Sequence, residues 1–175
     1  YKRLNPTTDF AQAVTGSDYV IESVPEVLSL KQEVFTRLDR LCPPPAILAT
    51  NTSGFLVTDI ASVTKHPERI IATNYYQPPH FVPLVEMVAG QKTERSTIER
   101  AAKLLSGLHK RVVVIDKEIP GLILGNRIQR AMLKEIQTLV DEGVATPQMI
   151  DDIMSFGLGP RMIYTAFFRR LDLIG

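Results

Sequence analysis

Short apolar runs alternate with helix-spaced apolar positions through the first two thirds of the chain. Tyr19-Val20-Ile21-Glu22-Ser23-Val24 reads as a strand, and Leu30, Val34, Phe35, Leu38 and Leu41 follow at close to helical spacing. Ser29 with Gln32 three residues later predicts a capping box at the start of that helix, and Pro43-Pro44-Pro45 stops it. Ala46 to Ala49 predicts a second strand, with Asn51-Thr52-Ser53-Gly54 as the loop at its carboxyl end. Arg69 to Thr73 and Leu84 to Val88 read as two more strands. Thr93 is placed to cap a helix running to about Leu108, with Ile98, Ala101, Leu105 and Leu108 inward, and Val112 to Ile115 reads as a last buried strand. Such strand–helix alternation predicts an α/β fold with a parallel sheet and crossover helices.

After Asp116 the pattern changes, and no strand-like run follows. Residues 121–142 read as one long helix, apolar at Ile128, Met132, Ile136, Leu139 and Val140, and Gly143 ends it. Thr146-Pro147 opens another helix with a cap and a first-turn proline. Gly157-Leu158-Gly159-Pro160 breaks the chain before a last apolar stretch. The switch predicts a domain boundary near residues 116–121, with a sheet domain over 1–118 and an all-helical domain over 119–175. The chain opens Tyr1-Lys2-Arg3 without an initiator Met and stops straight after an apolar run at Gly175, so it reads as part of a longer protein.

Composition narrows the function classes. The 175 residues are 45% hydrophobic and 22% charged, an ordinary globular balance. A net charge of +1 provides neither a basic field for nucleic acid nor a Lys/Arg cluster for an anionic membrane. No apolar run approaches the roughly 20 residues that span a bilayer, and no signal-peptide pattern is present. Cys42 is the only cysteine, which excludes an intramolecular disulfide and a zinc held by several cysteines, and suits a reducing, intracellular compartment. No metal site is predicted.

In open parallel sheets, ligands bind beyond the carboxyl ends of the strands. Glu26 follows the first strand, Ser53 the second, and Asn74 with Gln77 the third, while Glu86 lies inside the fourth. A lone Glu in an apolar strand is costly to bury unpaired, so Glu86 is either a site residue or the partner of a nearby Lys or Arg. Ser53 is a ligand-binding or a turn-capping serine. Glu26 and Lys31 are cofactor contacts or solvated charges around a helix start. Tyr75 and Tyr76 read as packing residues, since a phenol titrates near ~10. His66 and His109 read as surface residues, and Arg161 faces either an anionic group or solvent.

The ordered segments Val20-Ile21-Glu22-Ser23-Val24-Pro25-Glu26, Asn51-Thr52-Ser53, Pro78 with Leu84-Val85-Glu86, Pro120-Gly121 with Asn126-Arg127, and Gly143-Val144-Ala145 with Asp151-Asp152 are shared with a known family. Over Asp18 to Gly175 the chain resembles the L-3-hydroxyacyl-CoA dehydrogenase family, and Gly125 to Gln129 and Gly157 to Arg161 are similar to relatives acting on gulonate or carnitine. The resemblance implies the C-terminal part of a Rossmann-type doubly wound sheet followed by a helical domain that mediates homodimerisation. It implies NAD as cofactor, a small 3-hydroxy acid or acyl-CoA as substrate, a cytoplasmic setting and a place in fatty acid metabolism. By position it implies that Glu26, Lys31 and Gln77 meet the cofactor and that Ser53 and Asn126 polarise the substrate oxygen. Glu86 then orients a catalytic histidine.

Three features depart from the family pattern. Asn74 stands where that histidine belongs, and an amide holds no proton near neutral pH. His80, six residues on, is either an alternative base or a surface histidine. Asn126 comes one residue later after Pro120-Gly121 than in the family. No G-x-G-x-x-G phosphate loop occurs in these residues, so NAD affinity of this stretch alone is expected to be low. Two readings follow: an NAD-dependent oxidoreductase interconverting a 3-hydroxy acid or thioester with its 3-keto form, or a silenced family member that binds without reacting.

Overall fold

The computed structural model describes residues 3–121 and 123–174. Leu122, which falls inside the helix predicted over 121–142, lies outside the described residues, as do Tyr1 and Lys2 at the predicted start and Gly175 at the end. The chain divides into two compact units, Tyr1–Asn126 and Arg127–Gly175.

The first unit is built on five strands: β1 (Tyr19–Glu22), β2 (Ile47–Thr50), β3 (Ile70–Tyr75), β4 (Leu84–Ala89) and β5 (Arg111–Ile115). They lie side by side in chain order. Helix α2 (Leu28–Leu41) carries β1 to β2 and α3 (Val57–Ala61) carries β2 to β3, and both strand pairs are parallel. Helix α4 (Arg95–Gly107) carries β4 to the parallel β5. The β3–β4 pair is antiparallel, the one exception in an otherwise parallel sheet with crossover helices. Residues 76–83, which contain Pro78, Pro79 and Pro83, form too short and helix-averse a link for a crossover, so the chain can only turn back. The reversal brings the end of β3 and the start of β4 to one edge and sets Asn74 opposite Glu86.

Side chains alternate across each strand, so the sheet has two covered faces. Leu48, Ile70, Ala72 and Val88 pack with Phe35 and Leu38 of α2, with Val57 and Ile60 of α3, and with Ile123. On the other face Ile47, Ala49, Ile71, Val85 and Met87 pack with Ala101 and Leu105 of α4. Carrying the alternation outward from Ala72 and Val88 puts Asn74 and Glu86 on the face that Ile123 shares.

Several local expectations are corrected. A short helix α1 (Phe10–Val14), capped by Asp9, and α3 both escaped the apolar pattern because each is only five residues long. Helix α2 begins at Leu28 after Val27, with no side-chain cap, so Ser29 lies inside its first turn and Gln32 bonds the Asp59 carbonyl instead. Thr93 does not cap α4. Its hydroxyl donates to the Ile70 carbonyl at 2.6 Å and accepts the Gly90 amide at 2.8 Å, tying the α4 approach to β3. Leu108 is the exposed C-cap rather than an inward residue, and Thr97 is buried in its place. Strand β5 is largely exposed: Val113 and Val114 are 43% and 39% exposed, Ile115 is buried, and Val112 packs partly buried against the second core cluster.

The second unit contains most of α5 (Leu124–Asp141), then α6 (Pro147–Ile153), α7 (Gly159–Tyr164) and α8 (Phe167–Ile174). The Thr146 hydroxyl caps α6 by accepting the Met149 amide, as its sequence predicts. The expected break at residues 157–160 is instead a π-helical turn, Met154–Leu158, running into α7. Among the described residues no helix is long and apolar enough to cross a membrane. Phe35 is fully buried between α2 and the sheet, so Phe35→Ala is expected to cost about 3–5 kcal/mol. Urea unfolding of the two proteins measures this.

Candidate active site at the sheet edge

The carboxyl ends of β1, β2 and β3 and the start of β4 share one edge, and two carboxylate networks organise it. The first starts from Lys31, whose side chain is 1% exposed. Its ammonium donates to Glu22 Oε1 at 2.9 Å and to the Val24 carbonyl at 3.3 Å, and lies 3.2 Å from Glu26 Oε2. Glu22, itself buried, also accepts the Val24 amide at 2.6 Å and the Thr50 hydroxyl at 2.7 Å. A charge taken out of water this far is tolerated because almost every lone pair and proton is used.

Glu26 extends the network into the loop after β2. Its Oε1 accepts the Thr52 hydroxyl, the Gly54 amide at 3.0 Å and the Ser53 amide at 3.3 Å. Burial pushes the Glu26 carboxyl up, but the Thr52 hydroxyl, the Lys31 ammonium and the Gly54 amide outweigh it and hold the pKa below the ordinary carboxylate value. The Glu26 side chain is still 42% exposed, so it faces outward as an anchored acceptor. Ser53 enters through its backbone amide, and among the described residues its hydroxyl makes no hydrogen bond. Asn51 ties the same loop to β3 by accepting the Tyr75 amide at 3.3 Å.

The second network surrounds Glu86, which is 3% exposed in mid-strand. No Lys or Arg pairs with it among the described residues. Its Oε2 accepts the Leu124 amide at 2.7 Å, and Oε1 accepts the Gly125 amide at 3.0 Å and the Tyr76 hydroxyl. Leu124 and Gly125 open α5, where the first-turn amides have no partner within the helix and the dipole favours an anion. The Tyr76 phenol is pushed above its ordinary value, first by burial and then by the hydrogen bond and charge of Glu86.

The remaining candidates fall into place around these networks. Asn74 is half-buried across the ladder from Glu86. Asn126 is half-buried in the first turn of α5, and Gln77 is exposed on the connection that follows β3. His80 is exposed, with its ring centroid 4.4 Å from that of Phe81, and makes no hydrogen bond to Glu86. Arg161 is exposed in α7, within the second unit. Lys31 is buried, with its ammonium on Glu22 and Glu26. Tyr75 packs on the α4 face as expected, but the packing role expected of Tyr76 is corrected by its bond to Glu86. Sequence reasoning also passed over Glu22, Thr52 and Gly125. Glu22 ends a strand nine residues before a lysine, a visible signal, whereas the roles of Thr52 and Gly125 depend on contacts with residues distant in the chain.

The model of the 3-hydroxyacyl-CoA dehydrogenase NAD binding domain matches residues 1–119, and that of the 3-hydroxyacyl-CoA dehydrogenase C-terminal domain matches residues 124–175. A 5-formyl-3-hydroxy-2-methylpyridine 4-carboxylate 5-dehydrogenase from Mesorhizobium japonicum is 35% identical over 169 residues, 97% of this chain and 54% of its own length. An L-carnitine dehydrogenase from Burkholderia mallei is 38% identical over 173 residues, 99% of this chain and 54% of its own. The crystal structure of a 5-formyl-3-hydroxy-2-methylpyridine 4-carboxylic acid 5-dehydrogenase, described as an NAD+-dependent dismutase, superposes with a TM-score of 0.91 at 35% identity, over 97% of this chain and 54% of that one. The 3-hydroxyacyl-CoA dehydrogenase of Archaeoglobus fulgidus gives 0.81 at 34% identity, over 90% and 54%. The chain thus spans about half the length of these relatives.

Lys31→Met is expected to destabilise the fold by about 3–5 kcal/mol, because it leaves the Glu22 carboxylate buried without its counter-charge. Adding Glu22→Gln to that variant should recover part of the loss, and denaturant unfolding of the three proteins measures both.

Proposed function

The chain belongs to the 3-hydroxyacyl-CoA dehydrogenase family, and from that membership we propose that the protein is an NAD-dependent oxidoreductase interconverting a 3-hydroxy acid or thioester with its 3-keto form. The observation that carries this reading is Glu86, a buried carboxylate opposite Asn74 at the edge where the Ser53 loop and the first turn of α5 also lie. Bound NAD supplies the hydride acceptor. Glu26, outward-facing and fixed by Lys31 and Thr52, suits the hydroxyl donors of a ribose, and Gln77 adds an exposed amide nearby in sequence to β3. Lys31 orients Glu26 without touching the cofactor. Ser53 and Asn126 offer a hydroxyl and an amide to a substrate oxygen, which favours the developing charge on that oxygen.

Asn74 limits the rate in this reading. It can orient a hydroxyl by hydrogen bonding but cannot keep the proton, and a missing positioned base costs about 10²–10⁴-fold. Asn74 equally favours a second reading, in which the family site binds its ligands and does not react.

The finer assignments follow the same lines. The substrate is a small 3-hydroxy acid or an acyl-CoA, as for relatives named for 3-hydroxyacyl-CoA and for carnitine, with fatty acid metabolism as the setting. A single free, buried cysteine, Cys42, suits the cytoplasm. The exposed Phe156, Ile163 and Phe168 of the helical unit suit a homodimer contact.

The test is a panel of 3-hydroxyacyl-CoA thioesters and free 3-hydroxy acids offered to the intact protein, with NADH absorbance followed. Slow but saturable turnover is expected. Asn74→His is expected to raise it by up to about 10²-fold, since Glu86 is in place to orient an imidazole. Wild-type turnover already on the order of 10 s⁻¹ with no gain from the substitution would remove Asn74 as the limiting residue. Calorimetric NAD binding with no turnover by either protein would favour the silent reading.

A further inference from the structure

We infer that Tyr76 and Glu86 together form the proton acceptor of this site: the Tyr76 hydroxyl takes the substrate's hydroxyl proton while passing its own to the Glu86 carboxylate. The inference rests on the dehydrogenase reading above and assigns a catalytic role to a residue that neither the family match nor the sequence pattern marks.

Four observations carry it. Tyr76 donates its O–H to Glu86, and a phenol oxygen that donates its one proton keeps lone pairs to accept another. Glu86 is held for this role, since the Leu124 and Gly125 amides fix both of its oxygens and leave Tyr76 as its side-chain partner. Neither Asn74 nor His80 offers an alternative: the first cannot be protonated, and the second is exposed against Phe81. The last is the room made for the phenol. A Cβ at Gly125 would lie 1.6 Å from the Tyr76 hydroxyl oxygen and 2.9 Å from Glu86 Oε1, so any residue but glycine there would push Tyr76 off the carboxylate.

The step balances. The substrate C–H bond breaks with its electron pair, which leaves as hydride to oxidised nicotinamide, and the carbon becomes a carbonyl. The O–H bond breaks, its proton bonds the Tyr76 oxygen, and the Tyr76 proton moves to Glu86, converting carboxylate to carboxyl. Because burial and Glu86 both disfavour phenolate, Tyr76 transfers protons in concert and does not stand ionised.

The experiment compares wild type, Tyr76→Phe, Gly125→Ala, Glu86→Gln and Asn74→His as intact proteins with NAD and a 3-hydroxybutyryl thioester. Turnover, calorimetric NAD affinity and an ultraviolet difference titration of the phenol are recorded. Tyr76→Phe is expected to lower kcat by about 10²-fold with NAD affinity unchanged, the usual size of a lost proton-transfer group. Gly125→Ala keeps the phenol but displaces it, and should lower kcat in the same direction while the Tyr76 ionisation moves down toward that of free tyrosine. Glu86→Gln should also lower that ionisation. Undiminished turnover in Tyr76→Phe, with Asn74→His faster than wild type, would overturn the dyad and leave the dehydrogenase reading standing. Absence of turnover in both wild type and Asn74→His, with NAD bound, would overturn the dehydrogenase reading and the dyad with it.

Discussion

A carboxylate in the middle of a β-strand must be supplied with donors, and the arrangement of the sheet edge follows from how Glu86 obtains them. Glu86 lies in β4 on the face that Ile123 shares, where it is 3% exposed. Water is excluded, and an unpaired charge there would cost several kcal/mol. The chain meets the requirement by bringing the first amides of α5 against both oxygens and the Tyr76 phenol against one. The donors come from two stretches of sequence, the residue after β3 and the start of α5. The short connection after β3, the start of α5 and the glycine at 125 are thereby fixed relative to one another.

The Lys31 network solves the same problem differently. There a full counter-charge is buried, and the pair is completed by a backbone carbonyl, a backbone amide and a threonine hydroxyl. The surplus of negative charge is passed outward to Glu26, which then holds the Ser53 loop through two amides and Thr52. One carboxylate with neutral donors and one ion pair therefore frame the edge from two sides. In the Glu86 network neutral donors satisfy a buried carboxylate, and in the Glu26 network an ion pair anchors an exposed one.

Substitution at Asn74 has to be weighed with its surroundings. With a histidine at that position, Glu86 would have an imidazole across the ladder to orient. With an amide there, the carboxylate's side-chain partner is the phenol two residues further on. Tyr76, Gly125 and Glu86 thus form one steric and hydrogen-bonded unit, with Asn74 across the ladder from Glu86.

The sequence by itself determined a great deal. Apolar periodicity located the five strands and the long helices to within a few residues, because burial on sheet and helix faces imposes periods of 2 and 3.6 on any chain. It also placed Glu26, Ser53 and Gln77 beyond strand ends and singled out Glu86 as an anomalous buried charge, whereas Asn74, expected after the third strand, lies inside β3, which runs on to Tyr75. Tertiary structure alone decided the rest. The antiparallel turn of β4, the exposure of β5 and the shift of Thr93 from cap to strand tie depend on which elements end up as neighbours, a matter of long-range packing that no local period encodes. Tyr76 illustrates the point: an aromatic after a strand reads as packing until Gly125, 49 residues away, is seen to leave space for its hydroxyl on Glu86. Hydrogen bonds of that kind join groups distant in the chain, and so they exist only once the fold has brought them together.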